Sequence, residues 1–352
     1  MTGPVNLRDL AALAAERLDP GPLGYFAGGA GDERTLADNE AAFARHRLLP
    51  RVLVDVSATT TATTVLGTAV SMPVLVAPTA LHRMAHPDGE PGTARAAAAA
   101  GTVMAVSTLA TCTPRELAEA APGAPRWLQV YALRDRGVTR ALVSEAIDCG
   151  YEALVLTVDA PRAGRRERDA RTGFVVPPHI DMPGVTAAAG HSSGLTPAEL
   201  LSLVDPSLVW RDLELLAAEV DLPVLVKGIH AAADARLAVE HGAAGVIVSN
   251  HGGRQLDNVP ASIDMLEPVA QEVADEVEVF VDGGVRRGTD VLVALALGAR
   301  AVLVGRPVLW GLACDGEAGV RWVLETLRAE LELALTLLGA PSPADVTRAH
   351  LA

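Results

Sequence analysis

From Met72 onward the chain carries eight short apolar runs: Val74–Ala77, Val103–Val106, Trp127–Val130, Ala153–Leu156, Val224–Val226, Gly245–Val248, Val279–Val281 and Ala301–Val304. None alternates apolar with polar residues, so each reads as a strand buried on both faces, as in a parallel sheet. Between them lie stretches of helical character at 92–100, 114–121, 138–149, 231–241, 263–274 and 289–297, and a last helix spans 319–338. Small turns such as Gly242-Ala243-Ala244-Gly245 and Gly298-Ala299-Arg300-Ala301 mark helix exits. This alternation predicts an α/β fold, and eight such units fit a closed (β/α)8 TIM barrel over 71–340.

Two regions break the rhythm. Residues 1–70 form an N-terminal helical segment. Asn6 is placed to cap a helix running to Leu18, closed by Asp19-Pro20-Gly21. Leu23 to Gly31 puts four glycines around Tyr25 and Phe26 and reads as a tight loop. Asp32 is a candidate cap for a second helix to Arg45, and Thr59–Val70 suits a short hairpin. The second break follows Asp159, where the chain runs to about Pro206 with much Pro, Gly, Ala, Ser and His. A connection this long is expected to be lid-like, over 168–206, with a short helix at Thr196–Val204.

A length of 352 residues accommodates all of this in one domain, 1–352. The net charge of −14 argues against nucleic acid or an anionic membrane as a general partner, so an anionic substrate would need a local basic pocket. Cys112, Cys149 and Cys314 lack ligand spacing, so reduced thiols and no metal are expected. No basic-then-apolar leader and no run of about 18 apolar residues occurs, so a soluble, cytoplasmic protein is expected.

The chemistry lies at the strand ends, where such barrels keep their active sites. In order these carry Pro78-Thr79, Ser107-Thr108, Gln129 with Tyr131, Thr157 with Asp159, Lys227, Ser249 with His251, Asp282, and Gly305-Arg306. Eight polar ends point to a large polar ligand across the barrel mouth. Asp282-Gly283-Gly284-Val285-Arg286 and Gly305-Arg306 follow the last two strands, the usual place for a phosphate. No GxGxxG or P-loop is present, so a Rossmann dinucleotide site is not supported. Ser249-Asn250-His251-Gly252-Gly253-Arg254-Gln255-Leu256-Asp257 sets a base and a guanidinium beside two glycines, which suits an anionic substrate. Lys227 ends an apolar strand, unusual for a lysine that is neither paired nor functional. Arg165 reads as one of a solvated charge cluster with Glu167, Arg168 and Asp169.

The sequence resembles the FMN-dependent 2-hydroxy-acid oxidases and dehydrogenases, a family that includes glycolate oxidase, lactate oxidase and mandelate dehydrogenase. The resemblance rests on Ser249–Asp257, Asp282–Asp290, Ala77–Ala80 with Ala85–Glu90, and Thr157-Val158-Asp159, and it spans Leu7 to about Leu338. It implies FMN as cofactor and oxidation of a small (S)-2-hydroxy acid to the 2-oxo acid. His251 would be the base, with Asp282 paired to it. Arg166 and Arg254 would hold the substrate carboxylate, and Tyr25 and Tyr131 would bind the carboxylate and hydroxyl. Pro78, Thr79 and Ala80 would flank the flavin, Ser107, Gln129, Thr157 and Ser249 would bind it, and Lys227 would lie by its N1/O2 side. Gly284, Arg286, Gly305 and Arg306 would hold the phosphate. Family members are usually tetramers, so a homo-oligomer is expected.

Two departures bear on substrate. Leu109 stands where glycolate oxidases carry a tryptophan, and Ala163 where they carry a bulkier residue; both would open the pocket to an aryl acid such as a mandelate. Ala80 resembles the oxidases more than the mandelate dehydrogenases, favouring molecular oxygen as acceptor. A flavin barrel of another class, or a non-catalytic flavin binder, would share the phosphate site. His251, Arg254 and Arg166 argue against both.

Overall fold

The computed structural model describes residues 3–352. Eight parallel strands close into a barrel in sequence order: Val74–Val76, Met104–Val106, Arg126–Val130, Ala153–Thr157, Val224–Ile229, Gly245–Val248, Glu278–Asp282 and Ala301–Val304. The last pairs with the first, Val302 opposite Val74. All eight predicted runs are barrel strands.

The burial on both faces follows from the pleat. Leu75, Ala105, Trp127, Val155, Leu225, Ile247, Phe280 and Leu303 point inward and fill the barrel, with Trp127 and Phe280 meeting edge to face at 5.5 Å. Their neighbours Val74, Val76, Met104, Leu128 and Val246 point outward onto the helices. The predicted hairpin, Thr63–Val65 and Thr68–Val70, closes the bottom of the barrel. Val65 and Val70 join the inner core, while Leu66 N and Thr68 Oγ1 donate to Glu278 and Glu152 at the starts of two strands. Only the C-terminal end is left as a mouth.

The first helix is Leu7–Arg17, and Asn6 accepts from the backbone N–H groups of Arg8 and Asp9 as expected. The glycine-rich stretch is a loop only in its second half: Pro20–Ala27, which carries Tyr25 and Phe26, is a helix with Pro20 at its first turn, and Gly28 to Gly31 follow it outside any helix. Asp32 is not a cap either. The next helix, Arg34–Ala41, follows Glu33, and its first N–H groups are satisfied from across the chain by the Asp257 carboxylate, which accepts from Thr35 at 2.9 Å and Arg34 at 3.4 Å, and also from Asp32 N ahead of the helix at 3.0 Å.

The long connection is ordered. It holds three short helices, Glu167–Thr172, Pro183–Ala189 and Pro197–Ser202. Its Phe174, Val176, Ile180, Met182, Leu200 and Leu201 form a second apolar cluster with Tyr25, Leu109 and Tyr131. The predicted helix at 196–204 is its third, started by a reciprocal cap between Thr196 and Glu199. The last helical segment, Arg306–Leu338, is two helices broken by the non-helical Asp315-Gly316, and the second of them is the helix predicted at 319–338. Among the described residues no helix is long and apolar enough to cross a membrane.

Candidate active site

Strand ends, the Pro20–Ala27 helix and the long loop enclose a cleft of about 1100 Å³ including its open mouth. Nearly every residue predicted for the site lines it, from Tyr25 and Pro78 through Lys227 and His251 to Gly305 and Arg306. Ser249 and Ala163 do not. Ser249 is fully buried behind Lys227, and Ala163 packs against the loop's apolar cluster.

His251, Gly252 and Gly253 are three consecutive left-handed residues, φ 57°, 65° and 73°. They turn the chain sharply off its strand and bring the imidazole over the barrel. Gly253 admits no side chain, because a Cβ there would lie 2.6 Å from Leu36 N. The histidine has no glycine's freedom and carries strain of about 1 kcal/mol or more.

The expected pairing of His251 with Asp282 does not hold. His251 Nδ1 is 2.9 Å from Asp159 Oδ1. Room for Asp159 comes from the fifth strand, which is irregular between Lys227 and Ile229. Gly228 lies at φ 112°, and a Cβ there would be 2.6 Å from that of Asp159. Gln255 ties the Asp159 loop down, donating to the carbonyls of Asp159 and Arg162 and accepting from Gly164 N. Burial lowers the His251 pKa more than Asp159 raises it, so the ring is neutral with Nδ1–H facing the carboxylate. Nε2 is left as a free base.

Asp282 instead pairs with Lys227 at 2.9 Å, and Lys227 Nζ also donates to Ser249 Oγ at 2.8 Å. That hydroxyl accepts from His251 N as well, so one serine anchors both groups. Burial disfavours the charged lysine, but Asp282 and Asp159 more than offset it and its pKa is raised.

Arginines dominate the rest. Arg254 and Arg166 lie 4.9 and 5.8 Å from the centre of the Tyr25 ring. The nearest carboxylate to Arg166 is Asp169 at 3.9 Å, and Arg166 Nε has no partner. Burial and then Arg166 pull the Arg254 pKa down to about 10. Burial, followed by Asp159, raises that of Tyr131, so its phenol stays a donor. Arg165 is exposed, as expected, but Asp169 of the same expected solvated cluster is buried beside Arg166.

At the other end Arg306 donates only to carbonyls, those of Phe26, Gly28 and Gly252. Burial and then Arg254 and Arg286 press its pKa well below the ordinary value. Arg286 donates to Glu40, but its Nε is buried without a partner. Beside them Gly283 and Gly284 are left-handed, φ 95° and 85°. Crowded, under-compensated guanidiniums and glycine backbone fit a phosphate. Between the two ends Ser107, Gln129, Thr157 and Lys227 offer polar atoms to a planar ring, with Gln129 held by Thr108 N and Thr157 Oγ1. The donor set therefore fits FMN.

Sequence reasoning missed the Asp159 pairing and the wall built by Pro197, Leu200 and Leu201. The spacing Thr196-x-x-Glu199 before two leucines was the available signal for that wall.

The FMN-dependent dehydrogenase family model matches residues 14–352. Glycolate oxidase 3 of Oryza sativa subsp. indica is 50% identical over 352 residues, covering 98% of this chain and 95% of that protein. Glycolate oxidase of Spinacia oleracea is 47% identical over 353 residues, covering 99% and 95%. Among solved structures, a mandelate oxidase superposes with a TM-score of 0.90 at 41% identity, over 99% of this chain and 98% of that one. A lactate oxidase of Pediococcus acidilactici gives 0.92 at 38%, over 98% and 93%. With this site at its barrel mouth, the chain belongs to the FMN-dependent 2-hydroxy-acid oxidase family.

Proposed function

We propose that this chain oxidises a bulky, aryl-bearing (S)-2-hydroxy acid such as a mandelate to the 2-oxo acid, with oxygen as electron acceptor and hydrogen peroxide as product. The observation that carries the substrate reading is the apolar lining of Leu109, Pro197, Leu200, Leu201 and Leu309 in the same cleft as the arginine pair.

Arg166 and Arg254 clamp the carboxylate, and two cations over one aromatic ring favour a planar anion. Tyr25 and Tyr131 position the carboxylate and the 2-hydroxyl. His251 Nε2 takes a substrate proton, and Asp159 stabilises the imidazolium that results. Bound FMN supplies the two-electron acceptor for the substrate carbon. Arg286, Arg306, Gly284 and Gly305 hold its phosphate, Lys227 stands by its ring as a fixed cation, and the long loop excludes water. Oxygen as acceptor is supported by Ala80 beside Thr79 and by relatives described as oxidases.

Glycolate is the second reading, favoured by the 50% identity to a glycolate oxidase. Comparing kcat/KM for mandelate, lactate and glycolate decides between them; the expected order puts mandelate first, and a strong glycolate preference would sink the aryl assignment. Anaerobic bleaching of the yellow protein, then rapid recolouring in air with peroxide, tests the acceptor. Slow recolouring without peroxide would make it a dehydrogenase. We also propose a homo-oligomer, a tetramer, supported by the exposed Val52, Leu53, Leu333 and Leu337; light scattering tests it.

A further inference from the structure

Behind the cavity wall lies a polar chain that the reaction itself does not require. Thr79 lines the cavity, and its Oγ1 is 2.6 Å from His82 Nε2. His82 is completely buried, and its Nδ1 is 2.9 Å from Thr93 Oγ1. Thr93 in turn donates to Gly89 O at 3.2 Å, one helical turn back. The backbone of His82 is fixed too: its N–H donates to Glu90 Oε1, a carboxylate that also accepts from Thr111 N and from the Thr111 hydroxyl. Leu81, just before it, is held left-handed at φ 63°.

The direction of these bonds follows from proton counting. The Thr93 proton goes to Gly89 O, so Thr93 accepts from His82 Nδ1–H. A neutral imidazole protonated at Nδ1 has only a lone pair at Nε2, and that lone pair takes the Thr79 proton. Burial lowers the His82 pKa, which keeps the ring neutral despite the nearby Glu90. The hydroxyl oxygen of Thr79, a residue that lines the cavity, then has only lone pairs left to offer.

We propose that His82 is a positioning residue that turns the Thr79 hydroxyl so that it offers an acceptor, not a proton, to the flavin in this cavity. The inference rests on the cavity holding FMN. An acceptor at the ring favours the reduced flavin, which carries an added N–H, over the oxidised one.

The test measures the two-electron potential of bound FMN, by anaerobic equilibration with a reference dye, in the parent holoenzyme and in Thr79→Val, Thr79→Ser, His82→Leu and His82→Gln. Thr79→Val and His82→Leu should each cut the reduced-to-oxidised ratio about tenfold, about 30 mV more negative. Thr79→Ser keeps the hydroxyl. His82→Gln can accept from Thr79 and donate to Thr93 through its amide. Both should stay at the parent value. The double variant His82→Leu/Thr79→Val should fall no further than Thr79→Val alone, because both act through one hydroxyl. Unchanged potentials with only a lower melting temperature would make His82 a plain structural anchor and overturn the proposal, as would a shift to more positive potential. A parent protein that binds no FMN would overturn the cavity assignment and the proposal with it, whereas unchanged potentials in yellow variants would overturn the proposal alone.

Discussion

Asp159 and Asp282 both stand at the barrel mouth, one just past the fourth strand and one ending the seventh, and each holds a basic group at 2.9 Å. Geometry does not separate them. Their partners do. Lys227 gains from both carboxylates, and its raised pKa fixes a permanent ion pair. His251 has only Asp159 in its favour, while burial, Lys227 and Arg166 all oppose its charge, so its pKa falls below the ordinary value. The same bond length therefore gives one proton that never leaves and one site waiting for a proton. An active site needs both: a constant field and a titratable base.

The contrast can be broken at several points. His251→Gln should slow flavin reduction by about 10²- to 10⁴-fold while FMN stays bound, measured by anaerobic stopped-flow. Reduction near the parent rate would remove the base from this pair. Lys227→Met strands Asp282 as a buried unpaired charge and should cost about 3–5 kcal/mol in urea unfolding, a loss that Lys227→Met/Asp282→Leu largely restores. No loss in the single variant would mean that the lysine pair is not held in the way the distances imply. The gentlest test is pH. A base must be neutral to act, so kcat/KM falls as pH drops through the pKa of His251, and the acid limb should lie below about 6.5. Asp159→Asn removes an attraction for the protonated ring and should move that limb lower still. Asp282→Asn should leave it in place, and a limb that moved with Asp282 instead would reverse the assignment of the two carboxylates.

Most of the barrel was legible because each strand is a short apolar run that ends in a polar residue, a signal local in sequence. The phosphate end was legible for the same reason, its glycines and arginines being consecutive. The Asp159–His251 pair was not. It joins the loops after the fourth and sixth strands, and what decides it is the room that Gly228 leaves in the strand between them. The Tyr25 helix was hidden by its glycines, Gly21 and Gly24, which pack against Phe174 and Arg168 of the long loop rather than make turns. His82 and Thr93 were passed over because eleven residues separate two groups that only the start of the Gly89–Ala99 helix brings together.

The long loop packs its own apolar cluster onto Tyr25, Leu109 and Tyr131, apart from the side chains that fill the barrel. Such a segment behaves as an exchangeable cassette. A segment of similar length that keeps Arg168, the residue packed against Gly24 and Gly28, is expected to replace 169–204 while leaving the strands that carry base, lysine and phosphate ligands in place. Substrate range can then be altered apart from the chemistry, and a library confined to the cassette is the natural place to select new acids.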